Sequence, residues 1–565
     1  MLYEELKKAW AELTAAGAPF ETAPIQLRGS PCLTYKNAPP NVRALWLATA
    51  AYGEREYIVY QDERVTYGQA HAQVNAIAGW LVAQGVGSGD RVAIAMRNYP
   101  EWLLIYWACV AMGVAVVGMN AWWVAEEMAY AIGDSAPKVL FCDAERLARL
   151  AERPAMAEGV RIVAVRAEAP AGASPWSEVI AYDGMLPDVA VDPDADACIF
   201  YTSGTTGVPK GAQLTHRGCI HNLFSMMFSG QAQALALSRE TGVPIDPGAP
   251  IVIPTALLTT PLFHVTANNC GAYAVTAAGG KLVLMYRWDA GEALRLIEAE
   301  KISVMSGVPV MAREIINHPD VPRRDLSSLL SLAGGGAQVP PDLVGRIDAE
   351  VASARPGTGY GMTETCGIIT SVGSDFYVAK PDSAGPVMPD FEFKCVDDDG
   401  QTVAQGELGE LWVRGAQVIK GYLNRPEATA ETITDGWLHT GDIARVDADG
   451  FLFIVDRKKD MVLRGGENIY CAEVEAAVYR HPAVAECSVF GVPDPRLGEE
   501  VALAVTALAG EGLTAEDLRA HLAMIMARHK IPRYIWILGE PLPRNASGKF
   551  LKRELRDRLS LSEAA

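Results

Sequence analysis

Residues 201–211 read Tyr-Thr-Ser-Gly-Thr-Thr-Gly-Val-Pro-Lys-Gly, directly after the apolar run 197–200. This is a hydroxyl- and glycine-rich loop leaving a strand. Thr202, Ser203, Thr205 and Thr206 supply four hydroxyl donors, and Lys210 adds a compact positive charge. Gly204 and Gly207 let the backbone come close to a ligand. Together these groups suit a polyphosphate, by the physics of other anion-cradling loops. The loop is not the usual Gly-x-x-x-x-Gly-Lys-Ser/Thr pattern, because Lys210 is preceded by Pro209 and followed by Gly211. A single loop of this composition is more often a flexible surface turn, so the case rests on what accompanies it.

Several other groups could share that chemistry. An apolar strand at 329–337 runs into Gly334, Gly335 and Gly336, and 357–365 follows as Gly-Thr-Gly-Tyr-Gly-Met-Thr-Glu-Thr. The run 257–264 reads as a strand ending at His264. A lone histidine is more often a satisfied core residue, but the end of a strand in an α/β sheet is where ligands bind. Asp442, in Thr-Gly-Asp, is a carboxylate able to accept two hydroxyl donors. Lys549 closes Pro-Arg-Asn-Ala-Ser-Gly-Lys near the end of the chain.

The elements that must hold these groups alternate. Thr66 can cap a helix whose Ala70, Val74, Ile77 and Leu81 share a face and which Gly85 stops. A strand over 90–96, a helix over 101–112, a strand over 114–118, a helix over 126–134 and a strand over 138–142 follow. This alternation predicts parallel α/β layers. The segment 150–196 reads as a surface excursion with one strand at 161–165, and 230–250 as a second loose stretch. Strands at 281–285 and 302–306 continue the α/β pattern. From about 380 the pattern changes to short strands at 392–396, 410–414 and 451–455 with tight turns, which predicts a small antiparallel β region. The charged cluster 456–460 reads as a linker. Beyond it, a helix over 471–480, strands over 484–492 and 501–507 and a helix over 515–527 suit a compact α+β module. The expected division is 1–456 and 457–565.

Composition narrows the function. Hydrophobic residues make up 50% and charged residues 21% of the 565, which is globular. The net charge, 49 − 68 = −19, argues against a nucleic-acid partner and requires local positive charge wherever a polyphosphate binds. Ten cysteines include no Cys-x-x-Cys pair, so reduced thiols and a cytoplasmic location are expected. The first twenty residues lack a signal-peptide core. Residues 102–125 carry no charge, long enough to span a bilayer, but Gly113 divides them into a helix and a buried strand; no transmembrane segment is expected.

In order and spacing the motifs resemble those of the adenylate-forming superfamily, which contains acyl-CoA synthetases, peptide-synthetase adenylation domains and luciferases. The resemblance covers nearly the whole chain. It implies an α/β fold: a large N-terminal domain of doubly wound layers with a small β region, and a small mobile α+β C-terminal domain. It implies that residues 201–211 bind the phosphates of ATP, with Lys210 catalytic and Thr205 beside Mg²⁺. Tyr360 would pack on adenine, Thr363 would contact phosphate, and Glu364 would help hold Mg²⁺. Gly335, Gly336, Ala337, Thr358, Gly359, Gly361 and Met362 would complete the nucleotide site. Asp442 and Arg457 would hold the ribose, Lys459 would be the hinge, and Arg464, Gly465 and Gly466 would meet the pantetheine arm of CoA. Lys549 would be the catalytic lysine.

The implied reaction joins a carboxylic acid to CoA through an acyl-adenylate, with pyrophosphate and then AMP released. By position, His264, Val265, Asn268 and Gly334 should approach the acid, with the neighbouring glycines as an open floor. No aspartate near His264 is placed to capture an amino group. This favours a medium- or long-chain fatty acid, with an aryl or sterol-side-chain acid as the alternative. Transfer to a carrier protein is a second reading, and a non-catalytic ATP- or acyl-binding homologue a third, which the presence of Lys549, Glu364 and Asp442 opposes. A homodimer is expected by analogy alone.

Overall fold

The computed structural model describes residues 2–565 apart from 203–208, 246–251, 338, 352, 466, 509, 546 and 547. Two large sheets carry most of the chain. In the first, Arg91–Ala95, Ala115–Gly118, Val139–Cys142 and Arg161–Ala164 are parallel, and Asp196–Thr202 joins them beside Ala115–Gly118. Lys210–Thr215 turns back antiparallel at the edge. In the second, Lys281–Leu284, Thr255–Leu258, Val304–Gly307, Ser331–Gly335 and Arg355–Met362 run parallel, in that spatial order. Gly367–Gly373 pairs antiparallel with the last of these.

Local signals explain several elements. Helix Tyr67–Ala83 starts at a reciprocal cap: Gln69 N–H donates to Thr66 Oγ1 and Thr66 N–H to Gln69 Oε1. Helix Pro100–Ala111 is buried over its whole length and packs against helices on one side and strands of both sheets on the other. That explains a helix apolar on every face. No helix among the described residues is long and apolar enough to cross a membrane.

Three expectations need correction. Helix His216–Thr241 runs straight through Gly230, and the loose stretch begins only at Gly242, whose φ of +71° stops the helix. Phe228, Ala232 and Ala236 are buried on that helix, with Trp10 of helix Leu2–Thr14 edge-on to Phe228. Tertiary packing there outweighs the weak helix propensity of one glycine. The strand expected to end at His264 stops at Leu258. Beyond it Asn98 takes over the backbone, donating to Thr260 O and accepting from Leu262 N–H, so the chain bends before a π-helical turn over Thr266–Ala272. The excursion over 150–196 carries, besides its expected strand, a second short strand Ser174–Pro175 and the helix Trp176–Ile180, and it is entered from helix Ala144–Glu152.

The third sheet is antiparallel, in the order Gly385–Pro386, Phe451–Arg457, Trp437–Val446, Gly409–Gly415, Phe391–Val396. Its register sets Asp442 opposite Arg457. The fourth sheet contains Val462–Arg464, Glu467–Ile469, Val484–Asp494, Gly498–Ala507 and Tyr534–Leu538, with helices Cys471–Val478 and Ala515–Ile525 packed through Val474, Val478, Leu518 and Leu522. Residues 458–461 connect the two smaller sheets. The ten cysteines are unpaired thiols.

Candidate active site

The carboxyl ends of Asp196–Thr202, Ser331–Gly335 and Arg355–Met362 open into one cleft, where parallel α/β sheets bind ligands. Its volume is about 2050 Å³. That exceeds the roughly 300–1,000 Å³ of a single-ligand pocket and leaves room for two substrates. Thr202, Lys210, Gly335, Gly336, Ala337, the whole run 358–364, Asp442, Arg457, Lys459 and Lys549 all line it. Pairing of Gly334 with Thr358 and Gly335 with Gly359 lays the glycine strand beside the Tyr360 strand, and Thr358 Oγ1 donates to Gly334 O across 3.0 Å. Ser203, Gly204, Thr205, Thr206 and Gly207, expected around the phosphates, lie outside the described residues, as does Gly466.

Two phenols each hold a buried carboxylate of the cleft. Tyr360 donates to Asp442 Oδ2, and Arg457 Nε lies 3.4 Å from Asp442 Oδ1. Burial raises the Asp442 carboxyl pKa, while Arg457 and the Tyr360 hydrogen bond oppose that rise. Tyr422 donates to the buried Glu364 across 2.8 Å, and the Lys210 ammonium stands 5.1 Å from the centre of the Tyr422 ring. Tyr422 reaches this place because residues 420–423 lie along Lys210–Thr215: Gln213 N–H donates to Gly421 O and Leu423 N–H to Gly211 O. Sequence reading missed Tyr422, whose only signal is an aromatic ring after a glycine in a connecting loop.

Lys549 comes from the C-terminal module. Asn545 Oδ1 accepts its backbone N–H, and Gly548 (φ +80°) turns the chain so closely over Val308 that a Cβ there would come within 2.7 Å of Val308 Cγ2. Enclosure by protein, with Arg457 beside it, pushes the Lys549 ammonium down to about 8, against the pull of Asp442 and Glu364. Solvent still reaches the side chain through the cleft mouth and moderates this effect. Burial, assisted by Lys549, lowers His264 to about 4, so its ring is neutral near pH 7.

The expected acid pocket is only partly assembled as foreseen. His264 and Val265 line the cleft together with Val308, Pro309 and Val339. Asn268 lies outside that lining: it is fully buried, with Nδ2 donating to Asn269 Oδ1. Gly334 is not open floor either, since a Cβ there would meet Val339 Cγ2 at 2.6 Å. Gly361 is needed for the close approach of the next strand, where a Cβ would sit 1.9 Å from Gly367 O. The open floor is Gly335, with nothing within 4 Å, and Gly336, whose nearest neighbours are Thr266 and Val308 at 4.0 Å. Arg464 and Gly465 also stand outside the cleft; Arg464 Nη2 pairs with Glu500 across 3.1 Å.

Magnesium is the ion a polyphosphate substrate would bring. Among the described residues no three His, Cys, Asp or Glu side chains gather into a metal site. A single buried carboxylate, Glu364, fits Mg²⁺ nonetheless, because that ion is commonly held by one or two carboxylates together with substrate phosphates.

Known proteins match this arrangement over its length. Residues 45–423 match the family model described as AMP-binding enzyme, and residues 473–549 match that of the AMP-binding enzyme C-terminal domain. The chain is 38% identical over 497 residues to a feruloyl-CoA synthase of Amycolatopsis sp, covering 87% of this chain and 94% of that protein. It is 32% identical over 503 residues to 4-coumarate–CoA ligase 3 of Oryza sativa subsp. japonica, covering 88% of each. The o-succinylbenzoate CoA synthetase of Bacillus subtilis, solved with its acyl-adenylate intermediate, superposes with a TM-score of 0.75 at 28% identity, covering 91% of this chain and 98% of that one.

Proposed function

Since the chain belongs to the AMP-binding enzyme family and is an AMP-forming acid–CoA ligase, we propose that its acid is a flat aromatic carboxylic acid of the arylpropenoic or benzoic type. The observation that carries this reading is the shape of the floor. Gly335 and Gly336 leave an open slot beside Thr266 and Val308, in the cleft that His264 and Val265 also line, while Val339 packs against Gly334. A ring can lie over the two open glycines, whereas Val339 blocks extension of a chain past Gly334. Neutral His264 adds no charge to the wall. The feruloyl-CoA synthase and the 4-coumarate–CoA ligase among the relatives support the same reading. A medium- or long-chain fatty acid, favoured by the sequence alone, becomes the second reading.

The residues divide the chemistry as follows. A carboxylic acid is already ionised near pH 7, so its attack on the α-phosphorus needs no base. Two anions must instead be brought together. The Lys549 ammonium, which lines the same cleft, is the group assigned to offset their repulsion and the charge that develops in the transition state. Lys210 and the hydroxyls of its loop hold the β- and γ-phosphates that leave as pyrophosphate. Asp442, aligned by Tyr360 and Arg457, accepts the ribose hydroxyls. Glu364 would hold Mg²⁺, which neutralises phosphate charge when bound. The acyl-adenylate is then attacked at its carbonyl by the CoA thiol, and AMP leaves.

Lys549→Ala tests this division. Adenylate formation should fall by about a thousandfold, in the range seen when a preorganised charge is removed. Thioester formation from supplied acyl-adenylate and CoA should stay within about threefold of the parent. Equal loss in both half-reactions would remove Lys549 from the adenylation step.

A further inference from the structure

Lys549 belongs to the fourth sheet's module, so something on the large domain must seat that module before its lysine can serve. Helix Pro309–Ile316 offers two points of contact. At its start, Val308 receives Gly548, the residue next to Lys549. Five positions later, the Arg313 guanidinium stands 5.1 Å from the centre of the Tyr479 ring. At 1.5 Å rise per residue the two points are about 7.5 Å apart along the helix. Two separated contacts, together with the chain connection at 458–461, constrain the module's orientation, which one contact cannot.

Both partners of the second contact are braced. Arg313 Nη2 pairs with Asp342 Oδ2 at 2.9 Å, which holds the guanidinium in place. Tyr479 follows helix Cys471–Val478, and its hydroxyl accepts the N–H of Cys487 across 3.2 Å. A cation over an aromatic face is worth more where it is partly desolvated, and the Arg313 side chain is only 14% exposed. The guanidinium also stacks as a flat plate, which an ammonium does not.

We propose that Arg313 is a positioning residue for adenylation: stacked on Tyr479 and tied to Asp342, it seats the C-terminal module so that Gly548 and Lys549 enter the cleft. The inference rests on the adenylating role given to Lys549 above. Arg313 need not touch the acid for this, although it stands at the edge of the same cleft.

The test compares Arg313→Ala, Arg313→Lys, Tyr479→Leu and Tyr479→Phe with the parent in the two half-reactions, with Lys549→Ala as reference. Arg313→Ala and Tyr479→Leu should each lower kcat for pyrophosphate release by about tenfold, the double variant by no more, with the KM for the acid within about twofold. Tyr479→Phe should retain most activity because the ring remains, and Arg313→Lys should recover part of it. Thioester formation from supplied acyl-adenylate should be unchanged in all four, which also shows that they fold. A raised acid KM with unchanged kcat would make Arg313 a substrate contact and overturn the proposal. So would equal loss in both half-reactions, or multiplying effects in the double variant. If Lys549→Ala itself spares adenylation, the role of Lys549 fails. If Lys549→Ala abolishes adenylation and Arg313→Ala does not slow it, the present inference fails alone.

Discussion

Tyr360 and Asp442 are joined by a hydrogen bond of 2.5 Å between the phenolic hydroxyl and Oδ2. The bond links strand Arg355–Met362 of the second large sheet to strand Trp437–Val446 of the antiparallel β region. Two independently patterned parts of the chain therefore share one carboxylate. Removing the hydroxyl leaves Asp442 buried with Arg457 as its remaining charged partner. Tyr360→Phe should raise the KM for ATP by about tenfold, the scale of one hydrogen bond to a charged group, and leave the KM for the acid unchanged. Steady-state kinetics at varied ATP check this; an unchanged KM for ATP would detach Asp442 from the nucleotide.

A second phenol–carboxylate pair makes a parallel prediction. Tyr422→Phe keeps the ring beneath Lys210 but removes the donor to Glu364. The affinity for divalent ion in the presence of ATP should fall by about five- to tenfold. Electron paramagnetic resonance of bound Mn²⁺ measures this without turnover. Unaltered Mn²⁺ binding would mean that Glu364 does not hold the ion.

The pH dependence has a defined sign. Lys549 must be an ammonium to stabilise transition-state charge, and its pKa is pushed down to about 8. Adenylation should therefore be full below that value and decline as pH rises through it, well before an ordinary lysine near 10.4 would deprotonate. The kcat/KM for pyrophosphate release, measured between about pH 6.5 and 10 at subsaturating ATP and acid so that it reports the free enzyme, tests this. A plateau that persists to pH 10 would contradict it.

How much of this was legible in the sequence depends on what each residue's place is made of. Thr202 and Lys210 are legible from the hydroxyl, glycine and charge content of their loop, whereas Tyr360, Thr363, Glu364, Asp442 and Lys549 are legible through short motifs whose order resembles the adenylate-forming superfamily. The parallel layers were legible because alternating apolar strands and helices declare themselves. Relations set by register or packing were not. The resemblance brings Asp442 and Arg457 to one ribose, but that they face each other follows from the register of two paired strands, which no motif shows. Gly334 and Gly361 look like open floor until Val339 and Gly367 are seen against them. His264 looks like a strand end until Asn98 is found bending the chain before it. Tyr422 and Arg313 act through contacts made across long stretches of sequence; a glycine before the ring is the only local mark of Tyr422, and Arg313 has none.

The two ends of the acid slot give a paired prediction. Gly335→Leu fills open space and should lower kcat/KM for aromatic acids by about tenfold or more while sparing acetate and propionate. Val339→Ala opens the space behind Gly334 and should raise kcat/KM for octanoate and longer acids by several-fold, within the roughly 1–3 kcal/mol that a pocket methylene is worth. An acid panel on the two variants reads both effects. Unchanged selectivity in both would move the acid away from these residues.

The most direct measurement is mass spectrometry of the products formed by the intact protein from ATP, Mg²⁺ and an equimolar mixture of ferulate, 4-coumarate, benzoate, octanoate and palmitate, with and without CoA. The account predicts AMP together with the CoA thioester of an aromatic acid when CoA is present. It predicts the same acid's adenylate, bound to the protein, when CoA is absent. Thioesters of octanoate or palmitate in preference to the aromatic acids would contradict the proposed acid class, and an adenylate that ignores added CoA would contradict the acceptor.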